Sequence, residues 1–266
     1  MYRLHTALVV CAVIGLVGVI TTSGDPIYLA SSYHTLYRVS SHGDVESYTF
    51  NVALRSMHYD ALADTVYVFG DAGGPGAAAT IYRLDNAEDG TPSLIPHAAL
   101  SHQYGGATLV DGTFYGFSTG LMYSIDVSDP TQPMEQYIGD TELGGTAGCA
   151  YSPATDTLYL ASYDSGALYK VDRQDAMPTA LGSLGVIGFD LDAEWYNEML
   201  YLAIQNSSQN RFEFGIVDLE TGQYKYLMTI ADGATGTATG FAVIPEPAGV
   251  GLLSVLCLSY VARRRQ

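Results

Sequence analysis

The chain has 266 residues, with 28 Asp and Glu against 11 Lys and Arg, for a formal net charge of −17. That balance excludes nucleic acid and anionic lipid as partners, because phosphate recognition needs clustered Lys and Arg. Hydrophobic content of 48%, 21 tyrosines and 29 glycines point to many short strands joined by tight turns rather than to long helices.

Residues 1–24 begin with Arg3 and His5 and continue as an uninterrupted apolar run from Ala7 to Ile20. This is the layout of a secretory signal peptide, with removal near Ser23 or Gly24, so the secretion machinery is the first expected partner. Val10 stands directly before Cys11, where a lipoprotein box needs a small residue, so lipidation is not expected.

Residues 25–244 are a repeat. The clearest copy runs from Tyr151 to Asp172, where Leu158-Tyr159 and Leu168-Tyr169 each follow a polar turn. Matching pairs are Val66-Tyr67 with Ile81-Tyr82, Phe114-Tyr115 with Met122-Tyr123, Leu200-Tyr201 with Phe214-Gly215, and Ile27-Tyr28 with Leu36-Tyr37. From Tyr28 through Tyr67, Tyr115 and Tyr159 to Tyr201 the spacings are 39, 48, 44 and 42 residues. A period in the forties with several strand signals per unit is what a four-stranded propeller blade requires. Once both ends are set aside, the repeat region holds 7 basic against 27 acidic residues, a net −20.

Ahead of the markers lies a shared run of small, apolar, variable and apolar residues: Ser56–Tyr59, Gly106–Leu109, Gly148–Tyr151 and Gly188–Leu191. These are the expected innermost strands, where blades crowd the axis and small residues fit. The first copy lacks such a run, while Gly240–Val243 has one and no marker after it. The last strand is therefore expected to complete the first blade, closing a ring of five blades. Outer strands are expected over 46–50, 93–97, 134–138, 179–184 and 224–230, and Gly70–Ala79 as a surface loop. The pattern resembles the β-propeller superfamily, in particular its quinoprotein-like and YVTN-type members. The resemblance is generic, and propellers host many unrelated activities.

Residues 245–266 join Pro245-Glu246-Pro247 to an apolar run from Ala248 to Ala262 and then to Arg263, Arg264 and Arg265. Read physically, the prolines end the last strand, a short helix enters the bilayer, and the arginines stay on the cytoplasmic side. The run is shorter than the ~20 residues of a stable span, which suits a transient anchor. This three-part order resembles the PEP-CTERM sorting signal. The resemblance implies a bacterial substrate of an exosortase-type processing enzyme, cleaved near Pro245 to Pro247 and delivered to the cell envelope or extracellular matrix.

Candidate site residues follow from the inner strands. His58, Thr108, Ala150, Asp190 and Ala242 hold the variable position, and period-two alternation points them the same way in their blades. His58 and Asp190, with Arg55, Asp60, Asp192 and Glu194, make a polar cluster suited to a sugar or a cation, or else a set of channel residues that pair with one another. Glycoside hydrolysis needs two carboxylates flanking one bond, and Asp190 is the one carboxylate at the variable position. No cofactor is expected; calcium binding would require Asp190–Glu194 to form a tight turn. Cys149 is the single cysteine of the repeat region, expected as a small buried side chain. The expectation is a non-enzymatic binding or display module, with exopolysaccharide as a partner. The alternative is a glycosidase or lyase acting on exopolysaccharide at the channel mouth.

Overall fold

The computed structural model describes residues 25–71, 78–186, 188–233 and 238–245, with the backbone alone at 146, 188–190 and 238. The signal peptide expected at 1–24, the sorting tail from Glu246 onward and residues 72–77 of the Gly70–Ala79 loop lie outside the described residues. Among the described residues the chain forms strands and no helix.

The first three strands are β1 (Ile27–Ser32), β2 (Thr35–Val39) and β3 (Val45–Thr49). The second blade holds β4 (Ala53–Asp60), β5 (Thr65–Asp71), β6 (Thr80–Asp85) and β7 (Ser93–Ala99). The third holds β8 (Gly106–Val110), β9 (Thr113–Ser118), β10 (Leu121–Asp126) and β11 (Met134–Asp140). The fourth holds β12 (Thr146–Ser152), β13 (Thr157–Ser162), β14 (Ala167–Val171) and β15 (Pro178–Ser183), and the fifth β16 (Gly188–Tyr196), β17 (Met199–Asn206), β18 (Arg211–Val217) and β19 (Tyr224–Asp232). The last strand, β20 (Ala238–Ile244), lies beside β1 and completes the first sheet in the order β20-β1-β2-β3.

Each blade is an antiparallel meander, because short polar turns return the chain immediately. Asp111-Gly112 between β8 and β9 has φ of 49° and 83°, and Thr119-Gly120 between β9 and β10 has 48° and 89°. Two consecutive left-handed residues make the hairpin turn whose twist matches the flanking strands. Closure is set by Ile27 opposite Ile244, Tyr28 opposite Val243 and Leu29 opposite Ala242. The expected five-bladed ring is thus present, and pairing removes the free edges that β1 and β20 would otherwise present.

Apolar side chains fill the space between neighbouring blades. Leu29, Leu36, Leu54, Met57 and Val68 join the first blade to the second, while Tyr201, Phe212, Phe214 and Phe241 join the fifth to the first. Each such side chain, fully buried, contributes about 1.5–3 kcal/mol.

Two sequence expectations shift in register. Tyr67 packs 5.3 Å from Phe114 of the next blade and Tyr159 5.7 Å from Trp195 of the next blade, but Tyr28 lies against Tyr201 and Phe214 of the preceding blade. Leu29, not Tyr28, occupies the marker place, since a slip of one residue turns a side chain to the opposite face. In the fifth blade Glu194 stands opposite Tyr201, as His58 stands opposite Tyr67, Thr108 opposite Tyr115 and Ala150 opposite Tyr159. The run Gly188–Leu191 therefore lies four residues ahead of its expected place, and Asp190 falls in a β-bulge between Phe189 and Leu191.

Candidate functional site: the axial mouth and the carboxylate beneath it

The inner strands place their residues around the axis in successive rings, one residue per blade. Ser56, Gly106, Gly148, Asp192 and Gly240 form one ring, fixed by the pairings of Ser56 with Phe69, Gly106 with Phe117, Asp192 with Ala203 and Gly240 with Ser31. Three of the five are glycine because the strands nearly touch here. A Cβ on Gly106 would lie 2.8 Å from the Gly148 nitrogen, and one on Gly240 2.7 Å from Ser31 Oγ.

The room left by the glycines is taken by the Asp192 carboxyl group, which is 0% exposed. It accepts hydrogen bonds from Met57 N at 3.0 Å, Phe241 N at 2.8 Å and Ser56 Oγ at 3.1 Å. Ser56 Oγ in turn accepts from Ala107 N at 3.1 Å, so one network joins the first, second, third and fifth blades. Burial pushes the Asp192 carboxyl well above the usual carboxylate range, and the backbone N–H groups of Met57, Phe241 and Ala193 offset only part of that. Cys149, one residue along from Gly148, is buried, and its thiol is pushed up by burial and then by Asp192 and Glu194. It is a small core side chain, as expected.

Two residues further along each strand come His58, Thr108, Ala150, Glu194 and Ala242. Glu194 Oε2 accepts from Tyr59 N at 3.3 Å and Oε1 from Trp195 N at 3.1 Å. His58 Nδ1 lies 3.1 Å from Glu194 Oε2, close enough for an ion pair but not aligned for a hydrogen bond. Thr108 is fully buried, and among the described residues its Oγ1 has no hydrogen-bond partner.

On the other side of the glycine ring the axis opens into a cavity of about 160 Å³. Its floor takes one residue from each blade: Arg55, Gly105, Ala147, Leu191 and Thr239, each directly before a member of the glycine ring. Gln103, Tyr104, Thr119 and Tyr163 contribute to its wall. Arg55 donates from Nε to Asp71 Oδ2 at 3.0 Å, and its guanidinium carbon sits 5.0 Å from the centre of the Tyr33 ring. Gln103 Nε2 donates to the same Asp71 oxygen at 2.7 Å. Tyr104 donates from its hydroxyl to Glu135 Oε2 at 2.5 Å, and Ser101 N and His102 Nδ1 also contact that carboxylate. Burial raises the Glu135 carboxyl, but these bonds outweigh it and hold the group below its ordinary value. Burial and the same carboxylate push the Tyr104 hydroxyl up.

The expected polar cluster is therefore divided among levels. Arg55 lines the mouth, Asp192 seals the axis beneath it, and His58, Thr108 and Glu194 lie deeper. Asp190 precedes Leu191 on the mouth side, with only its backbone described. Asp60 stands apart, its Oδ1 accepting from Leu62 N and Ala63 N to cap a turn. Residues 190–194 are extended strand, not the tight turn that calcium chelation would require. Asp71, Gln103, Tyr33 and Tyr163 had no sequence signal linking them to Arg55; Gln103 and Tyr104 do stand immediately before the inner-strand run Gly106–Leu109, which is where wall residues should be sought.

No protein-family model and no curated protein sequence matches the chain. Among solved structures 363 chains match. One belongs to the crystal structure of a nidogen/laminin complex, 12% identical to this chain, with a TM-score of 0.56 over 82% of this chain and 98% of that one. At that identity the likeness concerns the backbone alone, and it agrees with the strand pairing above: residues 27–244 are a five-bladed β-propeller.

Proposed function

We propose that this chain is a secreted, exosortase-sorted protein of the cell envelope or extracellular matrix, and that its propeller is a non-catalytic binding or structural display module whose partner is exopolysaccharide. The observation that carries the reading is the sealed axis. Asp192 and Glu194, two carboxylates close to one another on one strand, are 0% and 3% exposed and are engaged by backbone N–H groups. A glycosidase needs its two carboxyl groups on either side of an accessible bond. These instead act as hydrogen-bond acceptors between blades, leaving a shallow mouth suited to binding. A propeller backbone similar to a chain of the nidogen/laminin complex is consistent with a binding or structural role.

Secretion and sorting rest on the sequence pattern: the apolar run after Arg3, then Pro245-Glu246-Pro247 and Arg263–Arg265. The test is incubation of the full-length chain with exopolysaccharide from an exosortase-bearing bacterium, following co-sedimentation and release of reducing or unsaturated ends. Retention without new ends supports the module. New ends would overturn it in favour of a glycosidase or lyase. Sorting is tested by the intact mass of the envelope-associated protein: loss of the tail near Pro245–Pro247, abolished when Arg263, Arg264 and Arg265 are replaced by Ala, is the expected result.

A further inference from the structure

We infer that the axial mouth binds a single neutral pyranose unit, with Arg55 bonding vicinal hydroxyls and Tyr163 covering the apolar face of the ring. The inference rests on the binding reading above and gives it a site and a ligand class.

Size comes first. The cavity of about 160 Å³ is smaller than the roughly 300–1,000 Å³ of sites for drug-sized ligands, so it takes one sugar ring and leaves the rest of a chain outside. Its surface is divided. Ala147 and Leu191 give the floor an apolar part, while Arg55, Gln103 and Thr119 make the polar side. A pyranose is divided in the same way, with hydroxyls around the edge and C–H groups on a face.

Arg55 is held for this use. Asp71 fixes its Nε and Tyr33 covers one face of the guanidinium, while its side chain remains 18% exposed. Among the described residues its two Nη atoms have no hydrogen-bond partner, so a fixed pair of donors is presented in one plane. Tyr163 is 37% exposed, and its ring is seated over Gly145, where a Cβ would come within 2.4 Å of ring atoms. That seating needs glycine and fixes the ring at the rim, where stacking on a sugar loses little side-chain entropy. Thr119 holds a φ of 48°, an unfavourable conformation for a β-branched residue, at the same wall.

Charge selects a neutral ligand. The buried Asp71 carboxylate already balances Arg55, and the repeat region carries a net −20, which repels an acidic sugar on approach.

The experiment is ligand-observed saturation-transfer NMR on the full-length chain. The probes are the methyl pyranosides of glucose, galactose and mannose, and methyl glucuronoside; the variants are Arg55→Lys and Tyr163→Ala. The expected result is saturation of at least one neutral pyranoside, with its Kd raised about tenfold or more in each variant and the glucuronoside weaker than its neutral parent. Arg55→Lys keeps the charge opposite Asp71, and Tyr163→Ala lies away from that pair, so at least one variant reports on a folded protein. Tighter binding of the glucuronoside, neutral binding unchanged in both variants, or no pyranoside binding would each overturn the inference. If exopolysaccharide is still retained equally by both variants, the inference fails and the binding module stands. If the unmodified chain retains none, the binding reading fails as well.

Discussion

Replacing Asp192 probes the centre of the ring and the protonation of a buried acid together. Asp192→Ala leaves Met57 N, Phe241 N and Ser56 Oγ without their acceptor in a site closed to water. At about 1–3 kcal/mol for each orphaned group, the two backbone donors alone cost on the order of 2–6 kcal/mol, a large share of the ~5–15 kcal/mol that holds a domain folded. Asp192→Asn is different. Its carbonyl oxygen, in the place of Asp192 Oδ2, can accept from Met57 N, Phe241 N and Ser56 Oγ, and the side chain carries no charge at any pH. The folded-state pKa of Asp192 lies well above the ordinary aspartate value of 3.8. Below that value both states hold the proton, and the contribution is complete. As pH rises above it the unfolded chain ionises first, so stability falls by about 1.4 kcal/mol per pH unit until the folded carboxyl also titrates. Urea unfolding of wild type and Asp192→Asn near pH 4.5, 6 and 7.5 checks this. The Asn variant should gain on the wild type as pH rises above the range in which the unfolded carboxyl ionises. A difference that is flat with pH, or that grows against Asn, would refute a raised Asp192 pKa.

Further consequences concern the packing around that network. Gly106→Ala puts a methyl group against the Gly148 backbone and should cost about 1–3 kcal/mol in chemical unfolding, although Ala is otherwise better than Gly in a strand. Phe241→Ala removes a fully buried ring from the closing strand and should cost about 3–5 kcal/mol, measured by the same assay. Tyr104→Phe deletes one donor to the largely buried Glu135 and should cost about 1–3 kcal/mol, with the cost absent when Glu135 is first replaced by Leu, which has no acceptor. Cys149 should resist thiol reagents under native conditions and react at the rate of global unfolding.

Much of the architecture was legible because the tyrosine markers carry a face as well as a period. Tyr67, Tyr159 and Tyr201 each point into the next blade, and the outer strands expected at 93–97 and 134–138 begin at Ser93 and Met134 as read. Ring closure was legible because Gly240–Val243 matched an inner strand that the first copy lacked. What failed was parity. A bulge at Asp190 and a one-residue slip at Tyr28 leave composition unchanged but move side chains to another face, so Glu194 and Leu29 took the places assigned to their neighbours. The mouth was harder still. Arg55 meets Asp71 along the same blade and Gln103 from the next connection, while Tyr163 comes from a separate blade, so only the closed ring gathers them.

The account is tested most directly by mapping where an exopolysaccharide fragment touches the folded chain, using methyl and aromatic NMR shifts while the fragment is followed for cleavage. The account predicts shifts at Ala147, Leu191, Thr119 and Tyr163, with the fragment intact at the end of the experiment. Shifts confined to the outer strands, or a fragment that is cut, would contradict it.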